Sequence, residues 1–428
     1  MRTYMYQGTM PCMKCANVLN IWNREYVGDG LVCIDCVERG RFISNTSERL
    51  FAIADRLQTL SPDDQVEEAK ETGLNYNPWG IMYDTGLRDR AILDPFYNYL
   101  EDWMHTLVAG GQANSHTGLV LHLLRAANIP MKLVQSYVMT FNLPQKHGKM
   151  QLEWLSPARL SSTDHTSFTA FAATMLTIVP LIYAFMMDNV FTSVDAIHLH
   201  DHIRCYGILA SIIALLQRVD TAVDNVPHLT KLIDDYSSLF IRLYDRAKAK
   251  FHHLFHLHDS IGLFQRVLSC FVTERRHRTT KRAALHVFRC VEATVAKDCV
   301  NRQCESFADA SSSLFVQAFL VRPKATDIMG HELFGSCEAV LAAGTIKTND
   351  VVFLKTDPVV VGRVDRFVEW NAEIFVVLDA YTRILGDVRH WSKAGARTRV
   401  LPSFLVVDAV AWRIHSPSSI RIVPPFVV

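Results

Sequence analysis

Apolar positions along the chain change their period twice. In "DHIRCYGILASIIALLQRVDTAV", Ile203, Tyr206, Ile208, Leu209, Ile212, Ile213, Leu215 and Leu216 recur at the three- and four-residue spacing of a helix. "HLTKLIDDYSSLFIRLYDRAKAKFHHLF" repeats the pattern, and residues 46 to about 325 read mostly as helices. Residues 61 to 100 are an exception, because "SPDDQ", "NPWG" and "LDPF" punctuate them as loop with short elements. The last hundred residues switch to short runs of Val, Ile and Phe between turn residues: "DVVFLKT", "VVVGRVDRFVEW", "EIFVVLDAYTRI", "SFLVVDAVAWRI" and "IRIVPPFVV". These predict about five strands at close spacing, the pattern of a small barrel or sandwich. "RPKATDIMGHELFG" at 322–335 reads as the linker before them. Residues 1–45 are Cys-rich with little helical period, so the predicted divisions are 1–45, 46–325 and 326–428. The fold class is α+β.

Bulk properties narrow the picture only a little. A chain of 428 residues has room for two or three cores. With 49% hydrophobic and 20% charged residues it is not mainly disordered. A net charge of +1 implies neither a nucleic-acid nor a membrane partner, so any basic surface is local. The N-terminus "MRTYMYQGTMPC" has no apolar signal region. Ten cysteines in such a chain point to a reducing compartment and to metal rather than disulfides. "HTSFTAFAATMLTIVPLIYAFMM", residues 165–187, is uncharged and long enough to span a bilayer. Its four Thr, its Pro180 and the lack of a flanking basic cluster favour a buried core helix, and no membrane partner is expected.

Four stretches carry candidate chemistry. "CMKC" and "CIDC" place Cys12, Cys15, Cys33 and Cys36 at C-x2-C-x17-C-x2-C, a zinc-ribbon spacing in which four thiolates would close a structural Zn2+ site. "HLHDH" and "FHHLFHLH" cluster histidines, and His252 with His256 stands at i, i+4, so one helix face could offer both to a metal. Neither cluster has the glutamate of H-E-x-x-H, and helix-surface histidines are the favoured reading. "CFVTERRHRTTKRAALHVF" sets Glu274 before Arg275, Arg276, Arg278, Lys281 and Arg282. Either this is an ion-paired, solvated helix start or an acid beside a phosphate-binding surface. In "YNYLEDWMHTLVAGG", Glu101 and Asp102 abut Trp103, Met104 and His105, an apolar setting in which an unpartnered carboxylate is costly.

The order of these motifs resembles transposases with an RNase H-like (DDE) core of the CACTA and Kyakuja-Dileera-Zisupton type, over roughly residues 10–300. "DWMHTLVAGG" resembles the block of the second catalytic Asp, and "GLNYNPWGIMYDTGLRDRAILDPF" the segment leading into it. "DHIRCYGILASIIALLQ" resembles a helix of the family's insertion domain, and "KFHHLFHLHDSIGLFQRVLSCFVTERRHRTTKRAA" the region of the late catalytic acid. The C-terminal strands resemble a small β-barrel of the BAH or SH3-like kind, which implies a peptide or chromatin ligand.

The resemblance implies a partial RNase H-like core with a large helical insertion, and catalytic roles for Asp102 and Glu274 as carboxylate ligands of Mg2+ or Mn2+ in two-metal strand cleavage. Arg275, Arg276, Arg278, Lys281 and Arg282 would neutralise DNA phosphates. The family's first catalytic Asp lies upstream of the Cys-rich block, and eleven residues precede Cys12 here, so the core is expected to be incomplete. Asp29 or Asp35 would be the alternative source of that acid. The expected protein is nuclear, transposon-derived and binds DNA or chromatin. The alternatives are an active metal-dependent DNA strand transferase or nuclease, and a non-catalytic protein-interaction scaffold.

Overall fold

The structure is a computed structural model of the 428-residue chain. It describes residues 9–21, 30–271 and 318–423, apart from 79, 91–92, 145–150, 161–166, 218–224, 246, 266, 268, 329–330, 342–343, 357, 385–388 and 417–418. The chain is α+β and forms two compact units: 1–129 with 158–179 and 186–270, and 130–157 with 180–185 and 271–428.

The first unit begins with a knuckle at Cys12–Cys15. Asn17 closes it by donating to the carbonyls of Gly30 and Arg41 (2.7 and 2.8 Å) and accepting from the Ile43 amide. That clamp lets β1 (Val18–Leu19) pair parallel with β2 (Val32–Cys33), the two strands of this unit among the described residues. The helix Ser47–Thr59 starts where Thr46 caps the Arg49 amide. The next, Pro62–Thr72, lies in the stretch expected to be loop. Ser61 caps it, Pro62 opens it, and Gly73 at φ +76° ends it, so the punctuation in "SPDDQ" is a helix start. The buried face of the first, Leu50, Ala54 and Leu57, packs with Leu74 just beyond the second and with Met13, Met82 and Tyr83.

After Trp103 the chain makes a π-helical turn, Met104–Val108, with Met104, Leu107 and Val108 buried. The Gly-Gly pair ends it for two steric reasons. Gly110 sits at φ +62°, and a Cβ on Gly111 would lie 2.6 Å from the Leu107 carbonyl carbon. Helix Gln112–Ala126 follows and meets helices His200–Leu216 and Val226–Tyr244 around His116. The His116 ring contacts those of Tyr206, Tyr236, Phe240 and Tyr244, and its two nitrogens lie 3.2 and 3.1 Å from the Tyr236 and Tyr244 hydroxyls. Burial brings its pKa down to about 3, so it stays neutral.

Ala172–Asn189 and Val194–Leu216 are long and apolar enough to cross a membrane, yet over half of each is buried within the protein. Met175, Ile178, Val179 and Leu181 are at most 1% exposed, which accounts for the hydropathy of the 165–187 stretch as core.

The second unit carries an antiparallel sheet of nine strands. Its strands include β4 (Lys324–Ile328), β5 (His331–Ser336), β8 (Val351–Leu354), β9 (Val360–Trp370), β10 (Glu373–Arg383), β11 (His390–Pro402), β12 (Val406–Val410), β13 (Trp412–Ser416) and β14 (Ser419–Ile422). The main path runs β12-β8-β9-β10-β11-β14-β13, and β5 pairs both β4 and β9. A second, three-stranded sheet joins β3 (Phe319–Leu320), β6 (Glu338–Leu341) and β7 (Gly344–Lys347). No pairing among the described residues closes the main path between β12 and β13 into a ring.

The central hairpin explains itself from sequence. Asn371 and Ala372 both have positive φ (51° and 61°), the pattern of a two-residue turn whose twist matches its strands. In β10, Ile374, Val376, Leu378 and Ala380 are buried at alternate positions, the period that "EIFVVLDAYTRI" spells. The segment expected as a linker, 322–335, instead forms the hairpin β4–β5, which joins the sheet through Phe334↔Glu369. Thr326 and Ile328 carry the β-branched character that the Gly and Pro in this stretch had masked.

A candidate metal centre of two cysteines and two histidines

Cys12, Cys15, His252 and His256 converge in the first unit, with one donor atom from each within 4.8 Å of the others. All four are buried, and none exceeds 6% exposure. Three elements deliver them. The knuckle closed by Asn17 turns both thiols inward, while helix Ala249–His253 and the tight turn Leu254–His256 carry the histidines. His256 Nε2 lies 3.3 Å from Cys12 Sγ, 3.4 Å from Cys15 Sγ and 3.2 Å from His252 Nε2.

The surroundings suit an ion at that point. His256 turns its other nitrogen outward and donates from Nδ1 to Asp259 (3.3 Å), the carboxylate support common behind metal-binding imidazoles. His252 is held by packing instead, edge-on to the Phe42 ring at 4.7 Å. A hydrogen bond from Cys12 lowers the Cys15 thiol to about 6, against its burial and with help from His256. Burial lowers His252 and keeps it neutral. Burial alone would lower His256 too, but Cys12, Asp259 and Cys15 beside it hold it well above its ordinary value. A Cys15 thiolate facing a protonated His256 imidazole is the proton-loaded form of such a centre, and a cation takes that proton's place. The cluster can hold a metal ion.

The predicted residues fare unequally. Cys12 and Cys15 are in the cluster, while Cys33 and Cys36 are not. Cys33 lies in β2 opposite Leu19, the Cys36 thiol faces the Glu38 carbonyl at 3.9 Å, and burial raises both thiols toward the protonated state. The set is therefore two cysteines and two histidines rather than four cysteines. His252 and His256, expected on a helix surface, are core residues. Their i, i+4 spacing was the available signal; what it faced was not. No disulfide forms among the described cysteines.

The two acids of "YNYLEDWMHTLVAGG" have opposite fates. Glu101 is 3% exposed, and His253 Nδ1 donates to it at 2.7 Å. Burial alone would raise Glu101, but the charge and hydrogen bond of His253 lower it on balance, and Glu101 raises His253 in return. Asp102 keeps 18% of its side chain exposed and accepts from His105 Nδ1, from the Met104 amide (3.1 Å) and from the Cys270 amide (3.0 Å). Asp102, His105 and Cys270 form a second group whose donor atoms all lie within 4.8 Å. Asp35 is buried beside Cys33, whereas Asp29, Glu274, Arg275, Arg276, Arg278, Lys281 and Arg282 lie outside the described residues. No family model, curated protein or solved structure matches the chain.

Proposed function

We propose that the chain is a transposase-derived nuclear protein that binds DNA or chromatin, its first unit fastened by a structural zinc at Cys12, Cys15, His252 and His256. The donor set supports zinc: two thiolates and two imidazole nitrogens are a closed tetrahedral set with no place for water. Such an ion joins positions 12 and 256 in sequence, so it acts as a cross-link as much as a ligand site.

The observation that best supports the transposase reading is the hydrogen bond from the Cys270 amide to Asp102. It joins residues 168 positions apart, and Glu274 with its arginines begins four residues beyond Cys270. Described residues thus hold Cys270 at Asp102, and that contact supports the pairing of acids that the resemblance implies. Arg275, Arg276, Arg278, Lys281 and Arg282 supply the cationic run that DNA phosphates would need. In the second unit, Phe334 and Trp370 are more than half exposed on neighbouring strands, a surface suited to a peptide or chromatin ligand of a BAH or SH3-like module.

The test is retention on heparin and on a duplex oligonucleotide. Changing Arg275, Arg276 and Arg278 to Ala should lower the salt needed for elution. Unchanged retention would favour a protein-interaction scaffold instead. A second reading, metal-dependent DNA cleavage, rests on Asp102 remaining partly exposed. Nicking in Mg2+ or Mn2+ that is lost in Asp102→Asn would support it, and no nicking in either metal would end it.

A further inference from the structure

We propose that Asp102, His105 and Cys270 form a second metal centre, open to solvent, that takes a zinc-class ion such as Zn2+ or Co2+ rather than Mg2+. This departs from the Mg2+ or Mn2+ reading of Asp102 given above and rests on its own donors.

The geometry comes first. Carboxylate oxygen, imidazole nitrogen and thiol sulfur lie within 4.8 Å of one another, and an ion with bonds of about 2.0–2.3 Å draws such donors to roughly 3.3–3.7 Å apart. Side-chain rotations of about an ångström reach that spacing, with the ion taking the place of the His105–Asp102 hydrogen bond. The carboxylate is already aimed: Oδ1 accepts the amides of Met104 and Cys270, which leaves Oδ2 directed at His105. Among the described residues its ion pair is with His105, and no lysine or arginine neutralises it.

Chemistry selects the ion. Mg2+ prefers oxygen donors and holds its waters, whereas a thiolate and an imidazole favour Zn2+ or Co2+. Exposure then separates this centre from the first. Asp102 and His105 keep 18% and 44% of their side chains exposed, so three protein donors leave a fourth position for water or an added ligand. The first centre has four buried donors and no such position.

The scaffold also fits. Glu101 points inward to His253, next to the ligand His252, while its neighbour Asp102 serves the second group. The Glu101–His253 hydrogen bond thus ties the segment bearing the first centre's histidines to the segment bearing Asp102 and His105.

Cobalt reports the centre in the full chain with its first site filled. Co2+ alone should bind one further equivalent and give a thiolate-to-cobalt charge-transfer band. The band should vanish in Cys270→Ser and persist in Cys33→Ser. His105→Ala and Asp102→Asn should weaken Co2+ binding about tenfold or more, Zn2+ should displace it, and excess Mg2+ should not. Metal analysis must show that each variant keeps its first ion; should Cys270→Ser fail to fold, His105→Ala at its half-exposed position gives the decision. Absence of the band, its survival in Cys270→Ser, or Co2+ binding indifferent to His105→Ala overturns the proposal. None of these outcomes uses DNA, so the centre and the DNA reading fail independently.

Discussion

Asp259→Asn isolates the support behind the first metal centre. Asp259 sits outside the cluster, accepts from His256 Nδ1 at 3.3 Å and faces His258 Nε2 at 3.0 Å. Asn keeps the shape and an acceptor oxygen but loses the charge that makes His256 a better donor to a cation. Carboxylates in this position contribute about 10- to 100-fold to metal affinity. Here the contact is long and the Asp259 side chain is 53% exposed, so water screens part of the effect. We expect the low end, about tenfold, or about 1.4 kcal/mol of binding. Competition with a chromophoric chelator of known affinity measures it. His258→Ala should leave the affinity unchanged, and His256→Ala, which deletes a donor, should cost considerably more than Asp259→Asn. An affinity within twofold of the parent in Asp259→Asn would refute the argument, as would a loss equal to that of His256→Ala.

Proton competition at the same centre has a sign fixed by Cys15, whose thiol titrates near 6. Through Cys15 metal affinity should fall by about tenfold per unit below pH 6, and the proton the cation displaces from His256 adds a fall in the same direction, as chelator competition across pH would show; a flat profile from pH 7 to 5 would contradict it. The Glu101–His253 pair should stabilise the fold in a window. Glu101 is lowered, so its contribution is present above its ordinary value of 4.5 and lost as pH falls through the folded value. His253 is raised, so its contribution is present below 6.5 and lost as pH rises through its folded value. Glu101→Gln should cost about 3 kcal/mol in denaturant unfolding near pH 5.5 and flatten that profile, whereas a loss below 1 kcal/mol would count against a buried pair. Gly118→Ala would place a Cβ 2.7 Å from the Ser167 carbonyl carbon. It should destabilise by about 1–3 kcal/mol despite the better helix propensity of Ala, and a raised melting temperature would refute the close packing.

The sequence by itself determined the elements with strong local signals. Eight apolar positions at helical spacing marked His200–Leu216, and short runs of Val, Ile and Phe marked β9 and β10. It also displayed all of the two clusters but Cys270: a CxxC pair, histidines at i, i+4, and an Asp three residues before a His. Local periodicity fixes which residues share a face, because that depends on backbone geometry alone. It does not fix what the face meets. "CMKC" and "CIDC" looked like partners because they were near in sequence and alike in spacing. Tertiary structure instead set Cys12 and Cys15 against histidines some 240 residues away and left Cys33 in a strand pairing. The same limit made His252 and His256 resemble surface residues, since nothing local reveals that Phe42 and the two thiols cover them. Asp102 and Cys270 meet only because the helices between them close the unit. The sequence named the donors; the long-range packing chose which of them share a site.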